Sequence, residues 1–225
     1  MVSGGFDVKG QLPLLANLEY LKQLDKKLNI HLGVCDREII DRLKPLNPII
    51  SFDFNHDEEM LKAAGFSVKP KDYLKSYQLL VQETFTVIPH LLVGRNRGKI
   101  QSEYHSLEIL ADYSPPAVVF LIFTPTPGTA FAGSSPPDLT ELEKFFAQAK
   151  ATLPKTAFYL GCLRPKGILR EKIDRLAINY DFAKIVMPAP KTKARAREAG
   201  FTINEESECC AFDSSLSGNR RGSGA

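Results

Sequence analysis

The most constraining feature of this sequence is a run from Phe85 to Val93 that is apolar on both faces. A strand of this kind is typical of a parallel sheet that helices cover. The loop that follows, as far as Gly98, contains two glycines and two cations, Arg95 and Arg97. A loop of this composition at the carboxyl end of a strand suits an anionic or carboxylate-bearing ligand.

The rest of the chain repeats a buried strand, a polar exit and an amphipathic helix. Strands are predicted at 28–34, 48–54, 85–93, 117–123, 157–162 and 182–187, and residues 2–5 resemble the end of another strand. Helices are predicted at 13–27, from Asp36 to Leu43, and at 58–64, 71–83, 101–112, 139–153, 169–179 and 192–199. This alternation, without a hairpin signal, predicts about six parallel strands with outer helices. An open doubly wound sheet and a partial (β/α) barrel both satisfy it.

Composition narrows the class of protein. The 225 residues, 44% hydrophobic and 24% charged, fit a single α/β domain. The net charge of +3 is too small to indicate nucleic-acid binding, and no apolar run approaches the ~20 residues of a membrane span. The start of the chain has no signal-peptide pattern, and the four cysteines form no extracellular disulfide framework. We therefore expect a cytoplasmic protein that binds neither nucleic acid nor membranes.

Polar side chains collect where the predicted strands end. They are Cys35, Asp53, Asn55, His56, Arg95, Thr124, Cys162 and Arg164. Loops after strands are polar in any such protein, but Asp53 and His90 lie inside apolar strands, where burial is costly without a partner. Asp53 and Arg164 are our candidate catalytic residues, because the planar guanidinium of Arg164 matches a carboxylate. We interpret His31 and His90 as partnered core histidines and Cys35 as a packed thiol.

Four motifs occur along the chain: VSGGFDVKGQLP at 2–13, HLLVG at 90–94, LGCLRP at 160–165 and ECC at 208–210. With them the chain, over about 2–212, resembles the biotin-synthase-related branch of the radical S-adenosylmethionine (SAM) enzymes. It is most similar to the two-component lipoyl synthases of archaea and some bacteria. The resemblance implies an α/β fold of the partial (β/α) TIM-type barrel kind.

The resemblance also implies cofactors and chemistry. In the family a [4Fe–4S] cluster cleaves SAM reductively, and the resulting radical abstracts hydrogen from an unactivated carbon. The lipoyl and biotin branches then insert sulfur. The implied substrate is a small molecule or a carrier-bound acyl group.

Matching residue by residue implies roles for several positions. Ser3, Gly4 and Gly5 match the glycine motif that meets the methionine amino group of SAM. Asp53 and Asn55 match polar positions that face the ribose and the substrate, and Val93 and Gly94 match a strand end that packs on the adenine. Arg164 matches a basic residue near an auxiliary cluster or the substrate. Cys162, Cys209 and Cys210 are candidate ligands of an auxiliary iron–sulfur or sulfur-donor site, and the alternative is that the tail around Cys209 and Cys210 plugs the barrel.

One family feature is absent from the sequence. The catalytic cluster is held by CxxxCxxC, and no such spacing occurs here. Since such clusters are held by several thiolates together, lone cysteines do not replace the motif. We expect an N-terminally truncated or split member, with a barrel domain at 1–212 and a disordered tail at 213–225. Its expected partner is the missing N-terminal half or a second lipoyl synthase-like component.

Three functions remain open from the sequence. The first is a radical SAM enzyme fragment that is inactive alone. The second is a non-catalytic SAM- or partner-binding module. The third is an unrelated barrel enzyme that uses Asp53, His90 and Arg164 for acid–base chemistry. Unpaired strand edges at 2–5 or 28–34 and at 182–187 predict an oligomeric or poorly soluble isolated chain.

Overall fold

The computed structural model describes residues 1–13, 17–83 and 85–212. These residues form one parallel sheet, whose strands are β1 (Asn29–Leu32), β2 (Ile49–Asp53), β3 (Thr86–Val93), β4 (Ala117–Ile122), β5 (Ala157–Leu160) and β6 (Lys184–Ile185). The strands lie side by side in sequence order, from β1 to β6. A doubly wound sheet requires that order to reverse part-way. The fold is therefore the predicted partial (β/α) barrel, and the doubly wound alternative is wrong.

Helices connect the strands. They are α1 (Leu18–Lys22), α2 (Arg37–Leu43), α3 (Glu58–Ala63), α4 (Pro70–Gln82), α5 (Ser102–Tyr113), α6 (Leu139–Thr152), α7 (Ile168–Asn179) and α8 (Thr192–Glu198). Three of them begin at an aspartate whose side chain accepts backbone N–H groups of the first turn: Asp36, Asp57 and Asp138. The longest helix of the described residues, α6, has 14 residues, and none of the described helices has the length and apolar character that crossing a membrane requires.

Two predicted elements are shorter than expected. Only α1 is observed from the helix predicted at 13–27, and residues 14–16 of that prediction lie outside the described residues. The strand predicted at 182–187 is reduced to β6, because Asp181 and Met187 adopt φ values of 49° and 48°, which are left-handed conformations that do not continue a strand. The disordered tail predicted at 213–225 also lies outside the described residues.

The two faces of the sheet have different partners. One face packs against the helices through fully buried side chains such as Ile30, Phe52, Phe120 and Phe158. The opposite face, which we call the inner face, carries the alternate residues of each strand. These include Asn29, His31, Ser51, Asp53 and His90. The polar groups inside the predicted strands therefore face the barrel interior.

Residues 205–212 run across the inner face from the last strand to the first, and we call them the tail. Lys184 on β6 contacts Glu206 at 2.6 Å and also the carbonyl oxygen of Phe212. Cys209 reaches Asn29 on β1, and Ala211 is fully buried. Ala211 packs against residues near the amino ends of the strands: Ile49, Ile88, Ala117, Val119 and Tyr159. The tail therefore plugs the amino end of the barrel interior.

The outer edge of β1 carries one further pairing. Val2 forms a parallel bridge with Ile30, in which the Val2 N–H donates to Asn29 and the His31 N–H donates to Val2. Residues 2–5 were predicted as a strand end, and Val2 makes the parallel contact that such an end would make. The direction of this pairing matches the rest of the sheet.

Candidate functional site

A cavity of about 310 Å³ lies at the carboxyl ends of β1–β4. Its volume falls at the lower end of the range for small-molecule sites. The polar lining includes His31 from β1, Asp53 from β2 and His90 from β3, together with Asn55 and Arg95 from the loops that follow. Phenylalanines 6, 54 and 66 supply aromatic surface. The cavity is thus placed where barrel enzymes carry their chemistry.

His31 and Asp53 form an ion pair in this cavity. The His31 Nε2 atom lies 2.8 Å from Asp53 Oδ1, and the two side chains are 21% and 38% exposed. Burial acts to lower the pKa of His31, but the hydrogen bond to Asp53 and its charge outweigh burial and raise that pKa. Burial acts to raise the pKa of Asp53, and the hydrogen bond and charge of His31 outweigh it and lower that pKa. Asp53 is therefore held ionised and oriented.

The ring of His90 lines the cavity, but its two nitrogens contact groups that do not line it. The residue is 4% exposed, and burial lowers its pKa to about 4, so the ring is neutral near pH 7. Its Nδ1 lies 3.0 Å from the carbonyl oxygen of Ile88, and its Nε2 lies 3.4 Å from Cys210 Sγ. Since both nitrogens are engaged, His90 is not placed to exchange a proton with a cavity ligand.

Arg95 lines the cavity without an ion pair to any described residue. Burial lowers the pKa of its guanidinium, although Tyr73, Asp53, Asp57 and Glu103 act in the opposite direction. The side chain is thus left available for an anionic ligand, as its loop predicts. Arg97, the other cation of that loop, is exposed and lies over the ring of Phe131, with 5.6 Å to the ring centroid.

The carboxylate of Glu103 supports the loop that carries Arg95. One of its oxygens accepts the backbone N–H groups of Gly94 and Arg95 at 2.7 and 3.1 Å, and the other accepts that of Gln101 at 2.9 Å. Glu103 is only 5% exposed. The Glu103 carboxylate is therefore occupied by the backbone of the loop, and it accepts no hydrogen bond from the guanidinium of Arg95.

The loop after β3 also interlocks with residues 135–137. Gly94 and Gly98 have φ values of +78° and +91°, which only glycine adopts readily. A Cβ atom at Gly94 would overlap Pro137, and one at Gly98 would overlap the carbonyl oxygen of Ser135. Gly94 therefore packs against the ring of Pro137, and Gly98 packs against the backbone of Ser135.

This packing corrects one predicted role. Val93 is fully buried in the core between the sheet and the helices, and the N–H of Gly94 is taken by Glu103. Neither residue lines the cavity. The structure therefore does not place Val93 and Gly94 where an adenine in this cavity would contact them.

Arg164, a predicted catalytic residue, has a structural role in the described fold. Its side chain is fully buried, and Nε donates to Asp174 Oδ1 at 2.8 Å. Its two terminal nitrogens donate to the carbonyl oxygens of Gly161 and Met187 at 2.6 and 3.1 Å. Asp174 in turn accepts from Ala189 N and from the hydroxyl of Thr192, each at 2.7 Å. Arg164 therefore joins β5 to α7 and to the segment before α8 and does not line the cavity, so the trio of Asp53, His90 and Arg164 is not assembled.

The remaining predicted cofactor residues divide into two groups. Asn55, 7% exposed, lines the cavity together with Asp53, as their strand and its exit predict. Ser3, Gly4 and Gly5 are exposed and do not line it, although the next residue, Phe6, does. An added Cβ at Gly5 would meet no atom within 4 Å, so no described residue packs against that position.

The four cysteines are not gathered into one metal site of three or more ligands among the described residues. Cys35 is buried, as predicted, and burial raises its pKa to about 12. Cys162 is exposed after β5, whereas Cys209 accepts a hydrogen bond from Asn29 Nδ2 at 2.8 Å. Within 1–13, 17–83 and 85–212, no three or more His, Cys, Asp or Glu side chains are arranged to hold a metal ion. The predicted auxiliary site of Cys162, Cys209 and Cys210 is therefore not assembled, and these residues do not fit a [4Fe–4S] cluster.

Sequence reasoning missed the partner of Asp53. Residue 31 is 22 positions away, but it is the one titratable residue of the strand predicted at 28–34. In the sheet it lies opposite Ser51, on the same face as Asp53. The signal was available: a carboxylate inside an apolar strand requires a partner, and the adjacent parallel strand offered one candidate.

No protein-family model matches this sequence, and no curated protein matches it. The structure is similar to that of the archaeal Methanocaldococcus infernus Elp3 with an N-terminus deletion (1–46), with a TM-score of 0.50 and 14% sequence identity. The match covers 82% of this chain and 44% of the Elp3 chain, so the present chain corresponds to less than half of that protein's length.

The chain therefore shares a (β/α) fold with that protein. At this level of identity the similarity shows the fold alone, and it gives this chain neither a superfamily nor an activity.

Proposed function

We propose that this chain is the SAM- and substrate-binding part of a radical SAM protein of the biotin and lipoyl synthase type. The observation that carries the proposal is the cavity at the carboxyl ends of β1–β4, which brings Asp53, Asn55 and Arg95 together. The (β/α) fold, which is shared with Elp3, is the fold that the resemblance implies. The motifs at 2–13, 90–94, 160–165 and 208–210 favour the branch.

The groups that line the cavity match the chemistry of SAM. Asp53 and Asn55 would bind the ribose hydroxyls, and Arg95 would bind a carboxylate of SAM or of the substrate. The rings of Phe54 and Phe66 offer apolar surface for the adenine. His31 has a supporting role, because its hydrogen bond fixes the Asp53 carboxylate in one orientation.

The catalytic cluster is assigned to another polypeptide segment. The described residues offer no arrangement for it, and the sequence has no CxxxCxxC. We propose that this motif comes from the N-terminal half of the same protein or from a second, lipoyl synthase-like component. A cluster held there would supply the reductive cleavage of SAM, and this chain would bind and orient SAM and a small or carrier-bound acyl substrate. A cytoplasmic location belongs to the same proposal.

Calorimetric titration of the purified chain with SAM tests the binding function. We expect saturable binding that Asp53→Asn weakens about 10- to 100-fold, because a hydrogen bond to a charged group contributes roughly 1.5–3 kcal/mol. Asp41→Asn is the matched control, since Asp41 is exposed on α2 and pairs with Lys44. Absence of binding by the unaltered chain, or equal affinity of the Asp53→Asn variant, contradicts the proposal.

A second candidate is a SAM- or partner-binding module without catalysis. It is favoured by the lack of cluster ligands among the described residues. Anaerobic iron–sulfur reconstitution with and without the polypeptide encoded immediately upstream separates the two. We expect 5′-deoxyadenosine only when a CxxxCxxC-bearing segment is present, and less of it with Asp53→Asn. Binding of SAM without any 5′-deoxyadenosine in either mixture favours the binding module.

A further inference from the structure

Two sulfur atoms lie side by side where the tail crosses the inner face. The side chains of Cys209 and Cys210 are within hydrogen-bonding reach of each other, and both residues are half-buried. The turn at residues 210–211 makes this contact possible for adjacent cysteines, whose side chains point apart in regular structure.

Each sulfur is oriented by a neighbouring side chain that is nearly or fully buried. Asn29, which is fully buried, donates its Nδ2 to Cys209 Sγ at 2.8 Å, and its Oδ1 accepts from Ser51 at 2.9 Å. His90 faces Cys210 Sγ with Nε2 at 3.4 Å. Because His90 donates its Nδ1–H to Ile88, its Nε2 carries the lone pair and faces the sulfur of Cys210. Asn29 and His90 thus hold the two sulfurs in a fixed relative position.

We propose that Cys209 and Cys210 form a two-sulfur site for a soft monovalent cation of the Cu(I) class. Thiolates are the ligands that such soft ions select. A two-coordinate ion needs no third protein ligand, so the site agrees with the lack of any three-ligand arrangement in the described residues. The site adjoins the cavity, since His90 lines the cavity and also contacts Cys210, but it does not depend on the function proposed for the cavity.

Binding at this site is balanced in protons and charge. Two sulfur–metal bonds form, the thiol protons leave to solvent, and no electron is transferred. The bound unit of two thiolates and one monovalent ion carries a single negative charge. Lys27 lies over the ring of Phe212 at the end of the tail, 5.9 Å from the ring centroid, and adds positive charge there.

Competition with a chromophoric chelator tests the site. The fully reduced chain is titrated without oxygen against the Cu(I) complex of bicinchoninate, whose absorbance falls as copper is withdrawn. We expect one Cu(I) to be withdrawn per chain. Cys209→Ser and Cys210→Ser should each weaken retention at least tenfold, whereas the matched control Cys162→Ser should retain copper as the unaltered chain does. Unchanged retention by the double variant Cys209→Ser/Cys210→Ser overturns the proposal.

Two further experiments test the site on the unaltered chain, without substitutions. Alkylation with iodoacetamide, followed by peptide mass mapping, should show Cys209 and Cys210 protected by Cu(I) and Cys162 modified equally with and without it. The same competition with Zn(II) and a zinc indicator should show no retention. Copper that fails to protect Cys209 and Cys210, or zinc retained as tightly as copper, contradicts a soft-ion site.

Discussion

Arg95 after β3 and Arg164 after β5 occupy comparable places at the carboxyl edge of one sheet, but their surroundings differ. The Arg164 side chain is fully buried, and it donates to one carboxylate and to two backbone carbonyl groups. Arg95 lines the cavity, and no described carboxylate pairs with its guanidinium. One arginine is part of the framework, and the other is available to a ligand.

The helix after each strand supplies the carboxylate that makes this difference. Asp174 of α7 accepts from the Arg164 side chain, whereas Glu103 of α5 accepts backbone N–H groups and leaves the Arg95 side chain alone. A buried carboxylate must be satisfied in either case. In this sheet, an arginine at a strand exit is available to a ligand when the carboxylate of the next helix accepts backbone N–H groups. It is part of the framework when that carboxylate accepts from the arginine side chain.

The largest expected loss of stability comes from removing the carboxylate that pairs with Arg164. Asp174→Asn leaves the Arg164 guanidinium buried without its counter-charge, and loss of one partner of a buried pair costs about 3–5 kcal/mol. Urea unfolding followed by circular dichroism measures the change in unfolding free energy. Asp41→Asn, in an exposed pair on α2, should barely change the midpoint. A loss for Asp174→Asn as small as that of this control is incompatible with a structural role of the pair.

A smaller loss of unfolding free energy is expected when Glu103 is substituted. Glu103→Gln replaces charge-assisted bonds to three backbone N–H groups by weaker ones, and we expect a loss of about 1–3 kcal/mol. The same unfolding experiment measures it. Glu108→Gln on the exposed side of α5 serves as the control, because Glu108 is 71% exposed. Equal midpoints for the two variants would show that the carboxylate does not hold the loop.

The ion pair of His31 and Asp53 should contribute a pH-dependent stability. The raised pKa of His31 means that its contribution is present below the unfolded value of about 6.5 and is lost as pH rises through the folded value. The lowered pKa of Asp53 means that its contribution is present above about 4 and is lost on further acidification. The pair should therefore stabilise most between about pH 4 and 6.5.

Comparison with a His31→Gln variant measures that contribution. We expect the difference in unfolding free energy to be about 1 kcal/mol or less near pH 5.5, because solvent screens a pair of this exposure, and to shrink by pH 8.5. His90 and Arg95 also face Asp53, but both are present in the two proteins, so the difference isolates His31. A difference that grows with pH has the wrong sign for a raised pKa.

The smallest effect on stability is expected at Arg95 itself. Arg95→Gln breaks no ion pair among the described residues, so the unfolding free energy should change by less than about 0.5 kcal/mol. At equal ionic strength, succinate should raise the melting temperature of the unaltered chain more than chloride does, and the Arg95→Gln variant should lose that difference. Arg97→Gln, which alters the exposed cation of the same loop, should keep it. A succinate effect that survives in Arg95→Gln would remove Arg95 from the anion site.

The sequence predicted the fold well where each strand is apolar on both faces. The runs predicted at 85–93 and 117–123 match β3 and β4 to within one residue at each end, because burial on both faces leaves a continuous apolar signal. Sheet order could not be read from that signal, since each strand–helix unit has the same pattern in a barrel and in a doubly wound sheet. The short β6 was also hidden, because its limits depend on two left-handed residues, Asp181 and Met187.

The site was harder to predict because its contacts join distant residues. Asp53 was found, since a carboxylate inside an apolar strand stands out. Arg164 was assigned the wrong role because its partner Asp174 lies on the following helix, where a single aspartate among charged residues carries no signal. The contact of the tail with β1 joins residues 180 positions apart, Asn29 and Cys209, and no local pattern reports it.

The interlocked glycines after β3 have a consequence for how occupancy of the cavity can be observed. Gly94 and Gly98 leave no room between their loop and residues 135–137, so a ligand that draws Arg95 inward must also move or stiffen that neighbouring backbone. Amide hydrogen–deuterium exchange at 134–135, a stretch outside the cavity, would then slow when the cavity fills. A surface turn with no ligand contact of its own would act as a remote reporter of binding.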